Sequence, residues 1–376
     1  MKASQADESR ALTLAARLRA RIRREGAISF RDWMKAALYD EREGYYCRRD
    51  AQPWGRAGDY RTSPERSPLF AATFAGYFAQ LYTELGSPGA WTILEAGAGA
   101  GDFAEGVLEI LSDRYPQVFK ATRYLIDEVS DAAVERLRLR LSTYADHVGF
   151  VRSDEIVEPF DAGLIFSNEL LDALPVHRVV FRAGKLHELC VGLNEADEFI
   201  WAEREPESVQ LASYLEESGV RLCEGQMAEV NLAATEWLCR AAAMLGRGYL
   251  ISVDYGAEAA LLYDPESRRA GTLRAFAQHR FKDNLLDEPG THDLTTTVNW
   301  TALQRAGAGC GLETLSLEPQ DRFLLRAGLL EQLEHLTAST PSEAAALALR
   351  TGARELILPG GMSQSFQVLI QQRVTT

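Results

Sequence analysis

The sequence predicts an α/β protein with a doubly wound, mostly parallel sheet. From residue 91 onward, short apolar runs alternate with amphipathic helical segments, which is typical of βαβ units. A glycine-rich loop, Glu95 to Gly101, follows the first of these apolar runs and precedes a helical pattern. In open sheets of this Rossmann-like class, a ligand binds outside the carboxyl ends of the strands, where the strand order reverses. The loop therefore indicates both the fold and the place to look for a site.

Composition narrows the class of function. The chain has 376 residues, which is long enough to bury a sizeable core. Its formal net charge of −14 disfavours a nonspecific phosphate-binding surface. We expect no nucleic-acid substrate, no membrane span and no metal site, and the composition leaves self-association open. The cysteines are scattered without a C-x-x-C pair, and we expect them to be reduced thiols: Cys47, Cys190, Cys223, Cys239 and Cys310.

The N-terminal region, residues 1–67, is predicted to form a helical cap. Arg10 to Arg24 carries arginines on a helical pattern, but Asp7, Glu8 and Glu25 interrupt the basic character that a transit peptide would have. We therefore expect a surface helix and a cytoplasmic protein of bacterial type, and Ser29 is predicted to cap a second helix that ends at Leu38. The predicted inward face of the first helix is formed by Leu12, Leu14, Leu18 and Ile22.

The remaining elements follow in order. Residues 68–255 are predicted to form the core, with a β excursion at 176–202, residues 256–307 an insertion that acts as a lid, and residues 308–376 the last part of the sheet. Strands are predicted at Trp91–Glu95, Arg123–Ile126, Val148–Arg152, Ala162–Ser167, Tyr249–Val253, Glu313–Glu318 and Phe366–Gln371. Helices are predicted at Pro68–Leu85, Asp102–Tyr115, Asp131–Tyr144 and Met227–Leu245. The excursion is predicted as antiparallel runs at Val176–Phe181, Lys185–Val191 and Glu198–Ala202.

The glycine loop has the form E-x-G-x-G-x-G, with Glu95, Gly97, Gly99 and Gly101 at the fixed positions. Glycines allow positive φ and close approach of a ligand to the backbone. Acids beside the loop, including Asp102, disfavour a dinucleotide pyrophosphate and favour S-adenosylmethionine (SAM), a cationic cofactor without phosphates. Acids at the ends of the next two strands are the expected partners of the ribose and the adenine: Glu128, Asp154 and Glu155.

The fourth strand leads into Asn168-Glu169-Leu170-Leu171-Asp172, which is predicted to face the methyl group of the cofactor. Asn168, Glu169 and Asp172 combine an amide with two carboxylates, a set that can hold a guanidinium by paired hydrogen bonds. Asn168 is also a candidate cofactor ligand. The alternative is structural, with Asp172 capping a helix that carries Glu169 in its first turn.

At these residues the sequence resembles the MidA family of methyltransferases. The matching segments are Phe30–Met34, Gly44–Tyr46, Gly58–Glu65, the glycine loop, Asn168–Glu169 with Asp172–Pro175, Asp254–Gly256, Gly271–Phe276 and Asp293–Thr295. The resemblance implies a class I methyltransferase sheet and methyl transfer to a protein arginine, with a respiratory complex I subunit as the kind of partner. It also implies that the insertion carrying Arg274, His279 and Asp293 closes the substrate side. By the same resemblance, the residues that cover SAM are Gly58, Asp59, Tyr60, Thr62 and Ser63.

Two other functions stay open on the sequence. One is a small-molecule O-methyltransferase in which His279 or Asp59 acts as a general base. The other is a SAM-binding assembly factor with little turnover.

The family's glycine loop commonly continues with Arg-Gly-Thr-Leu, where this chain has Ala100-Gly101-Asp102-Phe103, so we expect the details around the methionine carboxylate to differ.

Overall fold

A computed structural model of the chain describes residues 12–48, 67–277, 280–282, 284–358 and 365–373. The helices are α1 (Leu14–Glu25), α2 (Phe30–Tyr39), α3 (Pro68–Glu84), α4 (Asp102–Arg114), α5 (Pro116–Ala121), α6 (Asp131–Arg140), α7 (Gln210–Glu217), α8 (Leu232–Ala243), α9 (Ala259–Leu262), α10 (Trp300–Gly309), α11 (Gln320–Arg326), α12 (Leu329–Ser339) and α13 (Glu343–Ile357). The strands are β1 (Ile28–Ser29), β2 (Trp91–Ala96), β3 (Thr122–Asp127), β4 (Val148–Val151), β5 (Gly163–Asn168), β6 (His177–Arg182), β7 (Lys185–Leu193), β8 (Phe199–Arg204), β9 (Met227–Val230), β10 (Gly248–Ala257), β11 (Arg274–Ala277), β12 (Arg280–Lys282), β13 (Asp293–Thr295), β14 (Val298–Asn299), β15 (Glu313–Pro319) and β16 (Phe366–Arg373).

One compact unit, formed by Trp54–Leu171, Trp237–Gly256 and Leu303–Thr376, contains the predicted sheet. Its strand order is β15-β16-β10-β5-β2-β3-β4. Strands β2, β3, β4, β5 and β10 pair in parallel, and β16 runs antiparallel to both β10 and β15. The chain moves outward from β2 to β3 and β4 and then returns to the other side of β2 as β5. This reversal creates the switch point at the end of β2 and confirms the doubly wound α/β fold.

The core of this unit explains why α3 lies against the sheet. Phe70, Phe74 and Phe78 recur at helical spacing and are fully buried. Phe103 of α4 stacks on Phe166 of β5 with ring centroids 4.2 Å apart, and both rings contact Phe74. The aromatic stripe of α3 is therefore core, and it fixes the start of α4 against β5, next to the switch point.

The second compact unit is formed by Met1–Pro53, Asp172–Glu236 and Ala257–Ala302. Its main sheet has the order β1-β7-β6-β9, with β8 on the other edge of β7, and β11, β12 and β13 form a small antiparallel sheet. The helical cap, the β excursion and most of the insertion, which are separate in sequence, thus contribute to one unit. The predicted excursion is confirmed, since β6, β7 and β8 are antiparallel neighbours.

The N-terminal helices follow the sequence closely. Leu14, Leu18 and Ile22 of α1 are buried, and the Ser29 hydroxyl accepts a hydrogen bond from Asp32 N at 3.1 Å, which confirms Ser29 as the cap of α2. The prediction that Leu12 also belongs to the inward face of this helix was wrong. Leu12 precedes the first turn of α1 and is 48% exposed, because it lies outside the helical periodicity that orients the other three side chains.

The helix predicted from Met227 begins only at Leu232, with Ala234 N donating to the Asn231 side chain at 2.9 Å. Residues 227–230 instead form β9, which pairs with β6, so non-local strand pairing outweighs the helical pattern.

The cysteines differ from expectation as well. Cys239 and Cys310 form a disulfide with Cα atoms 5.5 Å apart, whereas Cys47, Cys190 and Cys223 carry thiols, as expected. The two partners are separated by 71 residues, and only the packing of the chain brings them together.

Candidate active site

The glycine loop occupies the switch point at the end of β2. Gly97 N donates to Asp127 O at 2.8 Å, which ties the loop to the end of β3. The φ angles of Gly97, Gly99 and Gly101 are 72°, 55° and 86°, a region that residues with side chains adopt with difficulty. A Cβ on Gly101 would lie 2.5 Å from Leu137 Cδ2, and one on Gly97 would lie 3.0 Å from Leu170 Cδ1. The loop is therefore packed closely on both sides.

Arg140 holds the exit of the glycine loop. Its guanidinium donates to Ala100 O, to Asp102 Oδ1 and to Glu105 Oε2, each at 2.8 Å. The charge of Asp102 is thus paired within the protein. We expected Asp102 to repel a dinucleotide pyrophosphate, and this ion pair weakens that contribution. Arg140 lies 38 residues after Asp102 in sequence, and no local pattern in the chain indicates their contact.

Glu95 lies inside the unit, beneath the loop. It is 4% exposed, and Tyr124 OH donates to its Oε2 at 2.7 Å. Burial in surroundings of low polarity raises the pKa of Glu95 to about 7. Glu95 therefore contacts β3 through Tyr124, and a role in cofactor binding through the loop that follows it stays a prediction.

Glu128 connects the end of β3 to the glycine loop. Gly99 N donates to its Oε2 at 3.3 Å and Ser130 N donates to its Oε1 at 3.0 Å. The side chain is 5% exposed, and burial raises its pKa above the ordinary value of a glutamate. A carboxylate in contact with the glycine loop is the arrangement predicted for the ribose hydroxyls. Asp154 and Glu155 lie on a short exposed turn after β4, at the same edge of the sheet.

Asn168 and Glu169 stand at the carboxyl end of β5. Glu169 has a φ of 51°, and its carboxylate accepts a hydrogen bond from Asn168 Nδ2 at 3.1 Å. A left-handed glutamate is an uncommon conformation that occurs more often at functional sites. Leu170 packs against Gly97, so the loop that begins at Asn168 touches the glycine loop.

The residues at this edge fit the cofactor that the sequence predicts. The Oδ1 atom of Asn168 is buried and has no hydrogen-bond donor among the residues that the structure describes. Buried acceptors are nearly always satisfied, so an ammonium or hydroxyl group of a bound ligand would complete this one. The glycine loop supplies close backbone approach, and Glu128 supplies a carboxylate beside it.

The other predicted site residues have different positions. Asp172 belongs to the second unit, where it is 4% exposed and its carbonyl accepts from Thr296 N at 2.9 Å. The chain turns after Asp172 and continues into β6, so the alternative of a helix capped by Asp172 is wrong. The remaining predicted residues lie outside the described residues: Gly58, Asp59, Tyr60, Thr62, Ser63 and His279.

Asp254 contacts the loop of the candidate site. The sequence analysis gave Asp254 no role in the site, although the residue lies in a segment of the family resemblance. It is fully buried on β10, and its Oδ2 accepts from Leu171 N at 2.8 Å.

Within the described ranges, no group of three or more His, Cys, Asp and Glu side chains is suited to hold a metal ion. In the same ranges, no helix combines the length and apolar character needed to cross a membrane.

A doubly wound sheet with a glycine-rich loop and a buried carboxylate at its switch point defines a Rossmann-like, cofactor-binding α/β protein. The comparisons with known proteins specify the class. Residues 73–317 match the model of a family described as S-adenosyl-L-methionine-dependent methyltransferases, and the chain belongs to this family. It is therefore a methyltransferase enzyme that uses SAM, as the loop and the resemblance predicted.

Solved structures and curated relatives agree with this assignment. A Burkholderia thailandensis protein crystallised with S-adenosyl-homocysteine is 32% identical, with a TM-score of 0.84, and the match covers 96% of this chain and 92% of that chain. The mitochondrial protein named "Protein arginine methyltransferase NDUFAF7 homolog" of Drosophila melanogaster is 26% identical over 98% of this chain and 86% of its own length. The human protein arginine methyltransferase NDUFAF7 is 23% identical over 92% of this chain and 80% of its own length.

Proposed function

We propose that this enzyme transfers a methyl group from SAM to an arginine side chain of a protein. The observation that carries the proposal is the Glu169 carboxylate, which stands at the end of β5 in a loop that touches the glycine loop. The similarity to proteins named as protein arginine methyltransferases, which extends over 98% and 92% of this chain, supports the same acceptor.

Glu169 would act on the acceptor by pairing with its guanidinium. An arginine side chain is always protonated in proteins, and its positive charge is spread over three nitrogens. A carboxylate beside two of these nitrogens draws the charge toward them and leaves the third nitrogen more nucleophilic. The Asn168 amide fixes the carboxylate through its hydrogen bond to Oε1. The net charge of −14 would attract a basic segment of the substrate.

The glycine loop and Glu128 would hold the cofactor. Bound SAM supplies an activated methyl group for in-line displacement. We assign the ribose to Glu128, the methionine end to the loop from Gly97 to Gly101, and the adenine to the turn with Asp154 and Glu155. The predicted covering segment from Gly58 to Ser63 completes this assignment.

Asp172 is the weaker half of the proposed clamp. Its side chain is 4% exposed, and a carboxylate that grips a substrate must become accessible to it. Asp172 follows Glu169 by three residues, which makes it the second carboxylate of the proposed clamp, and methylation rates of the Glu169→Gln and Asp172→Asn variants test this role.

A respiratory complex I subunit is the acceptor class that we propose from the family resemblance. We also propose a cytoplasmic location, on the acids that interrupt the arginine-rich N-terminal segment, whereas the curated relatives named above are mitochondrial. Fractionation of cells of the source organism would test the location, and sedimentation would establish whether the chain self-associates.

The test is incubation of the purified enzyme with methyl-labelled SAM and proteins from the source organism, followed by mass spectrometry of proteins and metabolites. Methylarginine in a protein is the expected product. A labelled methyl ether on a small molecule would instead establish the O-methyltransferase alternative. Tight SAM binding without any labelled product would establish the assembly-factor alternative. A Gly99→Val preparation is the control, since label that it also transfers cannot come from this site.

A further inference from the structure

Asp254 connects the acceptor loop to the neighbouring strand. It lies on β10, which pairs in parallel with β5 so that Val253 is opposite Asn168. Asp254 is fully buried, and its two carboxylate oxygens accept from Leu171 N and Tyr255 N, both at 2.8 Å. A carboxylate that receives backbone N–H groups away from water forms strong, charge-assisted hydrogen bonds.

The same strand holds the loop at a second point. Glu169 N donates to Val253 O at 2.9 Å, two residues before the Leu171 amide that Asp254 holds. The two donating amides, Glu169 N and Leu171 N, lie on either side of Leu170. The first of them belongs to Glu169, whose backbone is left-handed with a φ of 51°. A residue with a side chain stays in this region only when its surroundings fix it there. The bonds to Val253 and Asp254 supply this constraint.

We propose that Asp254 is a positioning residue for methyl transfer, because its carboxylate fixes the Asn168–Leu171 loop so that Glu169 faces the acceptor. The proposal rests on the proposed function of Glu169. Asp254 itself is buried beneath the loop and acts on the reaction only through Glu169. The fixed loop also presses Leu170 against Gly97.

The substitution Asp254→Asn tests the idea with little change in volume. One of the two acceptor oxygens becomes an NH2 group, which faces a backbone N–H and cannot accept its hydrogen bond. Asp264→Asn is the matched control. The Asp264 carboxylate also accepts two backbone N–H groups, from Glu266 at 3.2 Å and Ser267 at 2.8 Å, both on Oδ1, and it lies in the other compact unit.

The first measurement is amide hydrogen exchange of the full chain without SAM. We expect the Leu171 amide to exchange at least about 10-fold faster in Asp254→Asn, and to be unchanged in Asp264→Asn. Unchanged exchange at Leu171 in Asp254→Asn would overturn the proposal, whether or not an acceptor has been identified. If Asp254→Asn does not fold, Asp254→Glu, which keeps the charge and moves it by one methylene, takes its place with the same expectations.

The second measurement is a double-mutant cycle on the single-turnover rate of arginine methylation. Asp254→Asn should lower the rate by roughly 10- to 100-fold, the effect of losing one hydrogen bond to a charged group, while SAM affinity changes less than about 3-fold. In the Glu169→Gln background, Asp254→Asn should cause no further loss, because the two residues act as one unit.

The outcomes separate the two proposals. A large effect of Glu169→Gln with additive losses in the double variant would overturn the positioning role and leave the proposed function intact. No effect of Glu169→Gln would overturn the proposed function of Glu169 and the positioning role with it. A purely structural role of Asp254 predicts a lower melting temperature with the rate reduced only by the folded fraction, and this result would also overturn the proposal.

Discussion

Arg140 offers a test of how the glycine loop is held in its binding conformation. Its guanidinium contacts Ala100 O, Asp102 and Glu105, and it packs against the αL residue Gly101 through Cδ. Substitution Arg140→Ala removes these contacts together while leaving the glycines in place. We expect the loop to sample other conformations, because Asp102 and Glu105 are then two like charges in the first turn of α4 without a partner.

The structure sets the size of the effect. The side chains of Arg140, Asp102 and Glu105 are 32%, 33% and 41% exposed, so solvent screens both ion pairs, and each contributes about 0.5 kcal/mol. The hydrogen bond to the Ala100 carbonyl adds about 1 kcal/mol. The sum of about 2 kcal/mol is an upper bound on the loss of preorganisation, and it corresponds to about a 30-fold weaker affinity for SAM.

Isothermal titration of SAM into the wild type and Arg140→Ala measures this loss. Arg136→Ala is the matched control, since Arg136 is exposed on the same helix and makes no ion pair with any described residue. Arg140→Lys keeps the charge without the planar fork and should give an intermediate affinity. High salt should narrow the difference, because the ion pairs are partly exposed. Wild-type SAM affinity in a folded Arg140→Ala protein would refute the reasoning.

Three further predictions concern other residues. Gly99→Val should abolish SAM binding, seen by calorimetry, because a β-branched side chain disfavours the φ of 55° and blocks approach to the backbone; retained affinity in a folded variant contradicts this. Glu169→Gln should slow arginine methylation at least about 100-fold with SAM affinity little changed, and Asp172→Asn should slow it as well; a lower melting temperature for Asp172→Asn, with the rate reduced only by the folded fraction, would show that Asp172 is structural, and equal rates for wild type and Glu169→Gln would remove the clamp. Glu95 has a folded pKa of about 7, above its ordinary value of 4.5, so its contribution to stability is full below pH 4.5 and is lost as the pH rises through 7. Glu95→Gln should therefore gain stability relative to wild type between pH 5 and 8, by up to about 3 kcal/mol in denaturant unfolding, and a pH-independent difference would contradict it.

The sequence by itself determined the fold class, and it predicted a candidate site at the glycine loop. The α3 stripe, the buried strands and the E-x-G-x-G-x-G loop are local patterns, in which a few neighbouring residues specify backbone conformation and burial. The positive φ angles of Gly97, Gly99 and Gly101 agree with what the spacing of these glycines requires. The resemblance at separate segments, together with this loop, was sufficient to predict the methyltransferase family.

Only the tertiary structure decided how the site is supported. Asp254 reaches Leu171 across 83 residues, Arg140 reaches Asp102 across 38, and Cys239 reaches Cys310 across 71. The strand at Met227–Val230 exists because β6 lies beside it, although its own residues have a helical pattern. Local sequence restricts the backbone of a few residues at a time, whereas these contacts depend on which strands and helices become neighbours. The residues that we predict to bind the cofactor are therefore visible in the sequence, whereas the residues that hold them in place appear only after folding.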